Sequence, residues 1–545
     1  MPEPQRQHPL TRVLLVLIVL AAAMVAGIAG WEIRRALWQR VEALRDERHL
    51  MDGFDRGLAV VREAKRVTSG DALSPGPVRW LDLRRGYRAY YDEIRVSNDE
   101  EASRLHDPPL RVAILAAWVN WLRERDPMAS VYVGAYARSL LVIGMAIEGV
   151  TALLAMMVVV TIARRGGRWR PAVREGGARA FGATLNEDTR GATVWVVGLA
   201  AAVLLWLNPA ILLNGHLAPA FDVWVVPLVL LVVLLVAWEA WLSAGAVMLL
   251  ACLMQGQAIY VAPLLFLWPM FQGRFAAGVR ALTGFAAMAA LLASPWLVPS
   301  QRAWAWVGVM VAFAAVLAPW LYPRRLGFAW WVATAFTLCV LIGSVAFDSS
   351  WPAVRMLEYV AQTRPAEMIR GPASNLPALL AMRYDWSPSD VIGVISIRPL
   401  SFFSVVTIEG LLYLLLGLVV LACAIGAAVH ARRDDPQLLA AIVTPWVAIF
   451  ALLPGMHERW LIWAAAVSVI GVAASAGLAL IHLLLTALAA AMILHRMLLA
   501  SPDYMPNVLR VLNGMHPDIA WALLLCLGVM VAMSLIPRRW RVERE

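Results

Sequence analysis

The sequence predicts an all-α polytopic integral membrane protein with about 14 transmembrane helices and a long helical first extracytoplasmic loop. Three observations carry that prediction. The chain of 545 residues is 61% hydrophobic and only 15% charged, with a mean hydropathy of +0.68, outside the range of soluble domains. Apolar runs long enough to cross a bilayer recur along most of the chain. Arginine clusters fall at alternate run ends, as the preference for positive charge on the cytoplasmic side requires.

Measured against about 20 apolar residues per span, the runs fall at 12–30, 138–163, 191–207, 221–239, 240–257, 258–272, 276–298, 303–320, 326–347, 404–430, 437–454, 460–475, 477–497 and 519–536. The clusters Arg164–Arg174, Arg274 with Arg280, Arg324–Arg325, Arg432–Arg433 and Arg538–Arg539 then all face the cytoplasm, as do both termini. An odd number of spans breaks that agreement. The first run, Leu14 to Ile28, has no convincing cleavage site before Trp31 and reads as a retained span. The chain thus divides into 1–30 (cytoplasmic N-terminus and first span), 31–137 (extracytoplasmic helical loop), 138–347 (spans 2–9), 348–403 (extracytoplasmic loop) and 404–545 (spans 10–14 and cytoplasmic C-terminus).

In the first loop, Leu37, Val41, Leu44, Leu50, Phe54, Leu58 and Val61 recur at helical spacing among charges, the pattern of an amphipathic helix. A second helical stretch runs from about Tyr87 to Ile94. A third, Val112 to Leu122, is apolar enough to lie in the membrane interface with Trp118 and Trp121 as anchors. The loop 348–403 mixes Pro, Ser and aromatics with Arg355, Arg364, Arg370, Arg383 and Arg398.

Composition also narrows function. The net charge of +10 comes mostly from arginines at span ends, so it does not indicate nucleic acid. The four cysteines all fall inside apolar runs and form neither a disulfide framework nor a zinc site. The chain has no P-loop or convincing dinucleotide fingerprint, so nucleotide-driven pumping has no support.

Ionisable groups are costly beside lipid and default to function where they recur on one face. Threaded through the membrane, three polar elements emerge on the extracytoplasmic side. In Arg104-Leu-His-Asp-Pro-Pro-Leu-Arg111 the paired prolines hold Asp107 on a rigid turn, suited to a general base that takes a proton from an attacking hydroxyl; the same Asp also suits a cap for the helix that follows. Met456-His-Glu-Arg-Trp460 sets His457, Glu458 and Arg459 directly before an apolar span, where His and Arg can neutralise a phosphodiester and the charge that grows as it departs. In Asn208-Pro-Ala-Ile-Leu-Leu-Asn-Gly-His216 a Pro and a Gly bracket a broken helix carrying Asn214 and His216, with Asp222 close behind; His216 fits a substrate contact or a hydrogen-bonded structural role. Asp82, Tyr91 and Asp92 interleave acid and aromatic groups, as a carbohydrate surface does and as a solvated helix face also does. Gln257 and Tyr260 place an amide and a phenol inside an apolar run, as ligands or as packing between helices.

Together these elements resemble the GT-C superfamily of lipid-phosphate-sugar-dependent glycosyltransferases, most of all the glucosyltransferases that extend the dolichol-linked N-glycan precursor and their bacterial relatives. That family's Leu-Asp-Tyr-Pro-Pro-Leu element is similar to Leu105-His-Asp-Pro-Pro-Leu110. Its Pro-Ala-Leu-Ile…His-Gly-His element resembles Pro209 to His216, its Phe-Lys-Gln-Met…Tyr-Tyr-Ala-Pro stretch resembles Met254 to Pro263, and its late His-Glu-Lys/Arg element resembles His457 to Arg459. In strict register the family's catalytic Asp falls on His106, and Asp107 replaces its Tyr; Asp107 is the favoured base, with His106 as the alternative. The resemblance implies transfer of a sugar from a polyprenyl-phosphate donor to a hydroxyl of a glycan, lipid or protein acceptor, with inversion. His457, Glu458 and Arg459, helped by Arg383 and Arg398, would bind the donor phosphate, while Asp82, Tyr91, Asp92, Asn214, His216, Gln257 and Tyr260 would line the substrate. No cofactor is demanded, although some members of the superfamily use a divalent metal. The Arg-rich, Lys-poor chain looks bacterial, which makes the inner membrane its place and the periplasm its active face. A flippase for lipid-linked sugars, an O-antigen polymerase or ligase, and a non-catalytic assembly subunit are the competing expectations.

Overall fold

In the computed structural model of the protein the described residues are 9–40, 48–70, 77–79, 82–83, 86, 89–90, 108–127, 134–165, 187–217, 219–293, 368–369, 371–397, 402–433, 435 and 437–536. Helix dominates them. Four helices are long and apolar enough to cross a membrane, Arg138–Ala163, Val194–Leu217, Ile408–Arg432 and Ala476–Ala500, and the pair Pro506–Met515 and Ala520–Leu535, bent by 56°, passes the same test only when its two helices are taken together. Shorter apolar helices fill five more of the predicted span positions. The spans expected at 303–320 and 326–347 lie outside the described residues, so the described part carries a helical membrane protein and not the full count of about 14.

Helix α1 covers Pro9–Arg40. Next, α2 (Arg48–Ser69) and α3 (Pro109–Arg125) pack on each other. Phe54 meets Trp118 edge-on at 6.0 Å, and Gly57 lies against the Leu115 carbonyl, where a Cβ would collide. Asn120 closes the unit by exchanging hydrogen bonds with Val78 N–H (2.7 Å) and C=O (3.0 Å). The expectation that α3 lies in the interface needs correction. Val112, Leu115, Ala116, Val119 and Leu122 are buried, Trp118 is buried and donates to Ser139 Oγ at 2.8 Å, and Trp121 is exposed beneath Arg125. A helix apolar on most sides is driven inside, and here it sits between α2 and the membrane helix α7 defined below.

Helices α4 (Gly134–Arg165) and α5 (Glu187–Trp206) form one packed pair. They are followed by α6 (Val226–Ala237), α7 (Trp241–Met254), α8 (Ala262–Phe271) and α9 (Phe275–Ala293). α7 and α9 approach backbone to backbone, Gly245 on Ala281 O and Gly284 on Leu242 O, where no side chain fits. After α10 (Leu376–Tyr384), strands β1 (Val391–Ile397) and β2 (Phe402–Thr407) pair antiparallel, Val394 opposite Val405. This hairpin is a local exception in a helical membrane protein: Val-Ile-Gly-Val-Ile-Ser-Ile is β-branched and favours a pleated strand.

The last helices are α11 (Ile408–Arg432), α12 (Leu438–Leu452), α13 (Leu461–Val467), α14 (Ala476–Ala500), α15 (Pro506–Met515) and α16 (Ala520–Leu535). Every residue from Leu439 to Leu452 and from Leu461 to Val467 is buried, so α12 and α13 are the protein-enclosed centre, not lipid-facing spans. Pro445 interrupts α12, and Thr444 Oγ1 donates to the Ala440 carbonyl at 2.7 Å beside it.

The helix ends gather in two sets. At one, Arg432 donates to the carbonyls of Phe271 (2.7 Å) and Gln272 (3.3 Å), Arg274 pairs with Glu239 (3.3 Å), and His430 joins Asp435 to the Ser534 carbonyl. These are the boundaries predicted to be cytoplasmic. At the other set, the breaks after α5, α7 and α12 converge.

Candidate active site

Each of those breaks has a local cause. Asn208 ends α5 and caps the next turn, its Oδ1 accepting from Ala210 and Ile211 N–H, with Pro209 at the first helical position. The chain then widens through Leu213–Leu217 and tightens over Phe221–Val225, which carries Asp222. Gln255 leaves α7 in extended geometry, and a tight turn Gly256–Tyr260 follows. After α12, Gly455 adopts φ +66°, a conformation costly for a side-chain-bearing residue, and its N–H reaches Met368 O. The turn Glu458–Trp460 leads into α13.

Asp222 is the hub. Arg459 Nε lies 3.1 Å from its Oδ2, Trp460 Nε1 donates to Oδ1 at 3.2 Å, and Trp463 Nε1 donates to its carbonyl at 2.9 Å. Arg111, on the first turns of α3, approaches Oδ1 to 3.8 Å and donates to Gln255 Oε1 at 2.6 Å; Gln255 Nε2 in turn donates to Gln257 Oε1 at 2.6 Å. The rings of Trp460 and Trp463 stack at 5.5 Å, and His457 stands edge-on to Trp460 at 5.1 Å. Beside them Glu458 Oε1 accepts from Arg496 on α14 at 2.8 Å, while its Oε2 faces Gly371, where a Cβ would collide.

The layering of charge matters more than the contacts. The side chains of Asp222 and Glu458 are 1% exposed, whereas Arg111 (11%), Arg459 (18%), His457 (24%) and Arg496 (33%) retain accessible surface. Buried carboxylates therefore face basic side chains that keep part of their surface accessible, an arrangement suited to an oxyanion such as phosphate. Tyr260 is half-buried next to this group and packs on Tyr413 at 5.8 Å.

His216 goes elsewhere. It lies 3.1 Å from Glu148 and accepts from Trp38 Nε1 at 2.9 Å, in a buried cluster where Arg34 donates to Glu148 at 2.7 Å and 2.9 Å and lies 3.7 Å over the Trp206 ring. This is the structural alternative for His216, fixed inside the protein. Asn214 is buried too, and its carbonyl accepts from Ala220 N–H at 2.9 Å.

Of the other expected residues, Arg383 is exposed and donates to Asp518 at 2.6 Å. That hydrogen bond raises the Arg383 pKa and holds the Asp518 carboxyl below its ordinary range. Asp82 is half-buried on a turn beside the buried Leu83. His106, Asp107, Tyr91, Asp92 and Arg398 lie outside the described residues; Pro108, next to Asp107, is buried at the start of the helix that carries Arg111. Arg111, Arg496 and Glu148 were not singled out from the sequence, although Glu148 alone in an apolar run is the signal that finds such a group. Among the described residues no group of three or more His, Cys, Asp or Glu is placed to hold a metal ion. No protein-family model matches the chain, and no curated protein matches it.

Proposed function

We propose that this chain is a GT-C-like membrane glycosyltransferase that moves a sugar from a polyprenyl-phosphate donor to an acceptor hydroxyl on the extracytoplasmic face. The observation that carries this reading is the set of partly accessible basic side chains, Arg111, Arg459 and Arg496 with His457, braced by buried Asp222 and Glu458 where three broken helices meet. Arg111 adds weight, because it stands four residues after Asp107 in the sequence.

In this mechanism Asp107, or His106 one residue earlier, takes the proton of the acceptor hydroxyl as its oxygen attacks the anomeric carbon, worth about 10²- to 10⁴-fold in rate. The bond from that carbon to the phosphate oxygen breaks, and the polyprenyl phosphate departs with the electron pair. His457 and Arg459, with Arg111 and Arg496, offset the growing charge; donors so placed are worth about 10²- to 10³-fold each. A single displacement inverts the anomeric centre. The reading includes about 14 spans with both ends inside, and a bacterial inner membrane with the periplasm as active side.

The test is transfer of radiolabelled sugar from a panel of polyprenyl-phosphate monosaccharides in membranes holding wild type, Asp107→Asn or His106→Ala. Wild-type transfer lost in Asp107→Asn supports Asp107 as base, and loss only in His106→Ala moves the base by one residue. Equal transfer by all three, or none by wild type across the panel, sinks the proposal.

A further inference from the structure

Helix α15 sits on the same side of the molecule as the Arg496–Glu458 pair and divides its surface three ways. Leu509, 9% exposed, and the half-buried Leu512 face the protein. Val508 (38%), Val511 (60%) and Met515 (46%) form an exposed apolar strip at helical spacing, and exposed Met505 precedes the helix. Asn507, Arg510 and Gly514 are exposed on the remaining arc. A helix at the rim of a soluble protein needs two faces, core and water. Three faces need a third medium.

Continuity identifies that medium. α15 is bent 56° from α16, so if α16 crosses the bilayer α15 turns toward its plane. Trp521, Leu525 and Val529 on the adjoining α16 and Leu499 at the end of α14 are exposed apolar residues too, and exposed Tyr504 precedes the helix, a residue favoured at the membrane–water boundary. Two bonds fix the helix's rotation: Asn513 Oδ1 meets His495 Nε2 at 2.7 Å, and Ser374 Oγ meets His516 Nδ1 at 2.8 Å. His495 immediately precedes Arg496.

We infer that α15 lies in the membrane interface on the side of the candidate site, with Val508, Val511 and Met515 seated on acyl chains and Asn507 and Arg510 in water. Its occupant is the bilayer itself. The inference does not depend on the transferase reading, because it rests on exposure, bend and continuity alone.

The test uses the full chain reconstituted in vesicles of phosphatidylethanolamine and phosphatidylglycerol, with a nitroxide on Val508→Cys, Val511→Cys, Met515→Cys, Asn507→Cys or Arg510→Cys. Cys252, Cys423 and Cys526 are buried, and unsubstituted protein treated with the label supplies the background. Collision with oxygen relative to a water-soluble nickel chelate is expected to be several-fold higher at 508, 511 and 515 than at 507 and 510. Nickel access at 511 equal to that at 510 overturns the inference. So does shielding of the strip from both reagents, the mark of a second copy or another protein covering it.

Discussion

Two buried ionic clusters in this molecule handle the same cost in opposite ways. Around Arg34, Glu148 and His216 every charged side chain is enclosed, and Arg34 is consumed by Glu148, the carbonyls of Gly30 and Trp206, and the Trp206 ring. Around Asp222 and Glu458 the carboxylates are enclosed, while the side chains of Arg459 and Arg496 keep 18% and 33% of their surface accessible. The first cluster locks α1 to α4 and α5. The second leaves accessible surface on its basic side chains. Burial of an ionisable group inside a membrane protein is therefore only half of a functional signal; the sign left facing outward is the other half.

The sharpest way to break this comparison is to unpair the closed cluster. Glu148→Ala strands Arg34 without its carboxylate and is expected to destabilise by about 3–5 kcal/mol, read as a lower unfolding midpoint in detergent; Arg34→Met with Glu148→Leu recovers most of it. A wild-type midpoint for the single variant contradicts a structural lock. Next comes Arg459→Ala, where donor-dependent transfer is expected to fall about 10²- to 10³-fold, with a smaller drop in midpoint than Glu148→Ala because Arg111 and Trp460 still face the buried Asp222. Asp222→Asn removes the charge that pairs with Arg459 and weakens the hydrogen bond from Trp460, and is expected to cost about 10- to 100-fold, since a hydrogen bond to a charged group is worth about 1.5–3 kcal/mol. If Asp222→Asn instead leaves transfer intact, the carboxylate does not orient Arg459.

The smallest effect is expected at Arg383→Ala. Its exposed pair with Asp518 is screened by water, so transfer and midpoint stay at wild-type values. Because the Asp518 carboxyl is held low, any contribution is present above the ordinary carboxylate range and fades as pH falls through the folded-state value. Overlaying midpoint-against-pH curves for variant and wild type checks this; a gap that opens above the carboxylate range shows that the pair stabilises the fold.

The fold was legible where it depends on local pattern. The predicted runs at 138–163, 404–430 and 477–497 become α4, α11 and α14, because long apolar stretches in a helix-forming chain have one stable solution in lipid. What surrounds a helix was less legible: α3 and α12 are as apolar as interface or lipid-facing segments, and only tertiary packing shows that protein covers them. Of the site, Met456–Trp460 was readable because three ionisable residues interrupt an apolar run. Arg111 and Arg496 were not, since each looks like an ordinary helix-end arginine. Their partners, Asp222 and Glu458, lie far away in sequence. His216 shows the converse, a motif residue whose true partners, Arg34 and Glu148, sit on two other helices.

The most direct test of the central claim is binding of a polyprenyl phosphate and of the matching uncharged polyprenol to wild type, Arg459→Ala and the Arg34→Met, Glu148→Leu pair in nanodiscs. The account predicts that wild type and the paired variant retain the phosphate over the alcohol and that Arg459→Ala loses the preference. Equal retention of both lipids by wild type, or an unchanged preference in Arg459→Ala, would contradict a phosphate site built on the open cluster.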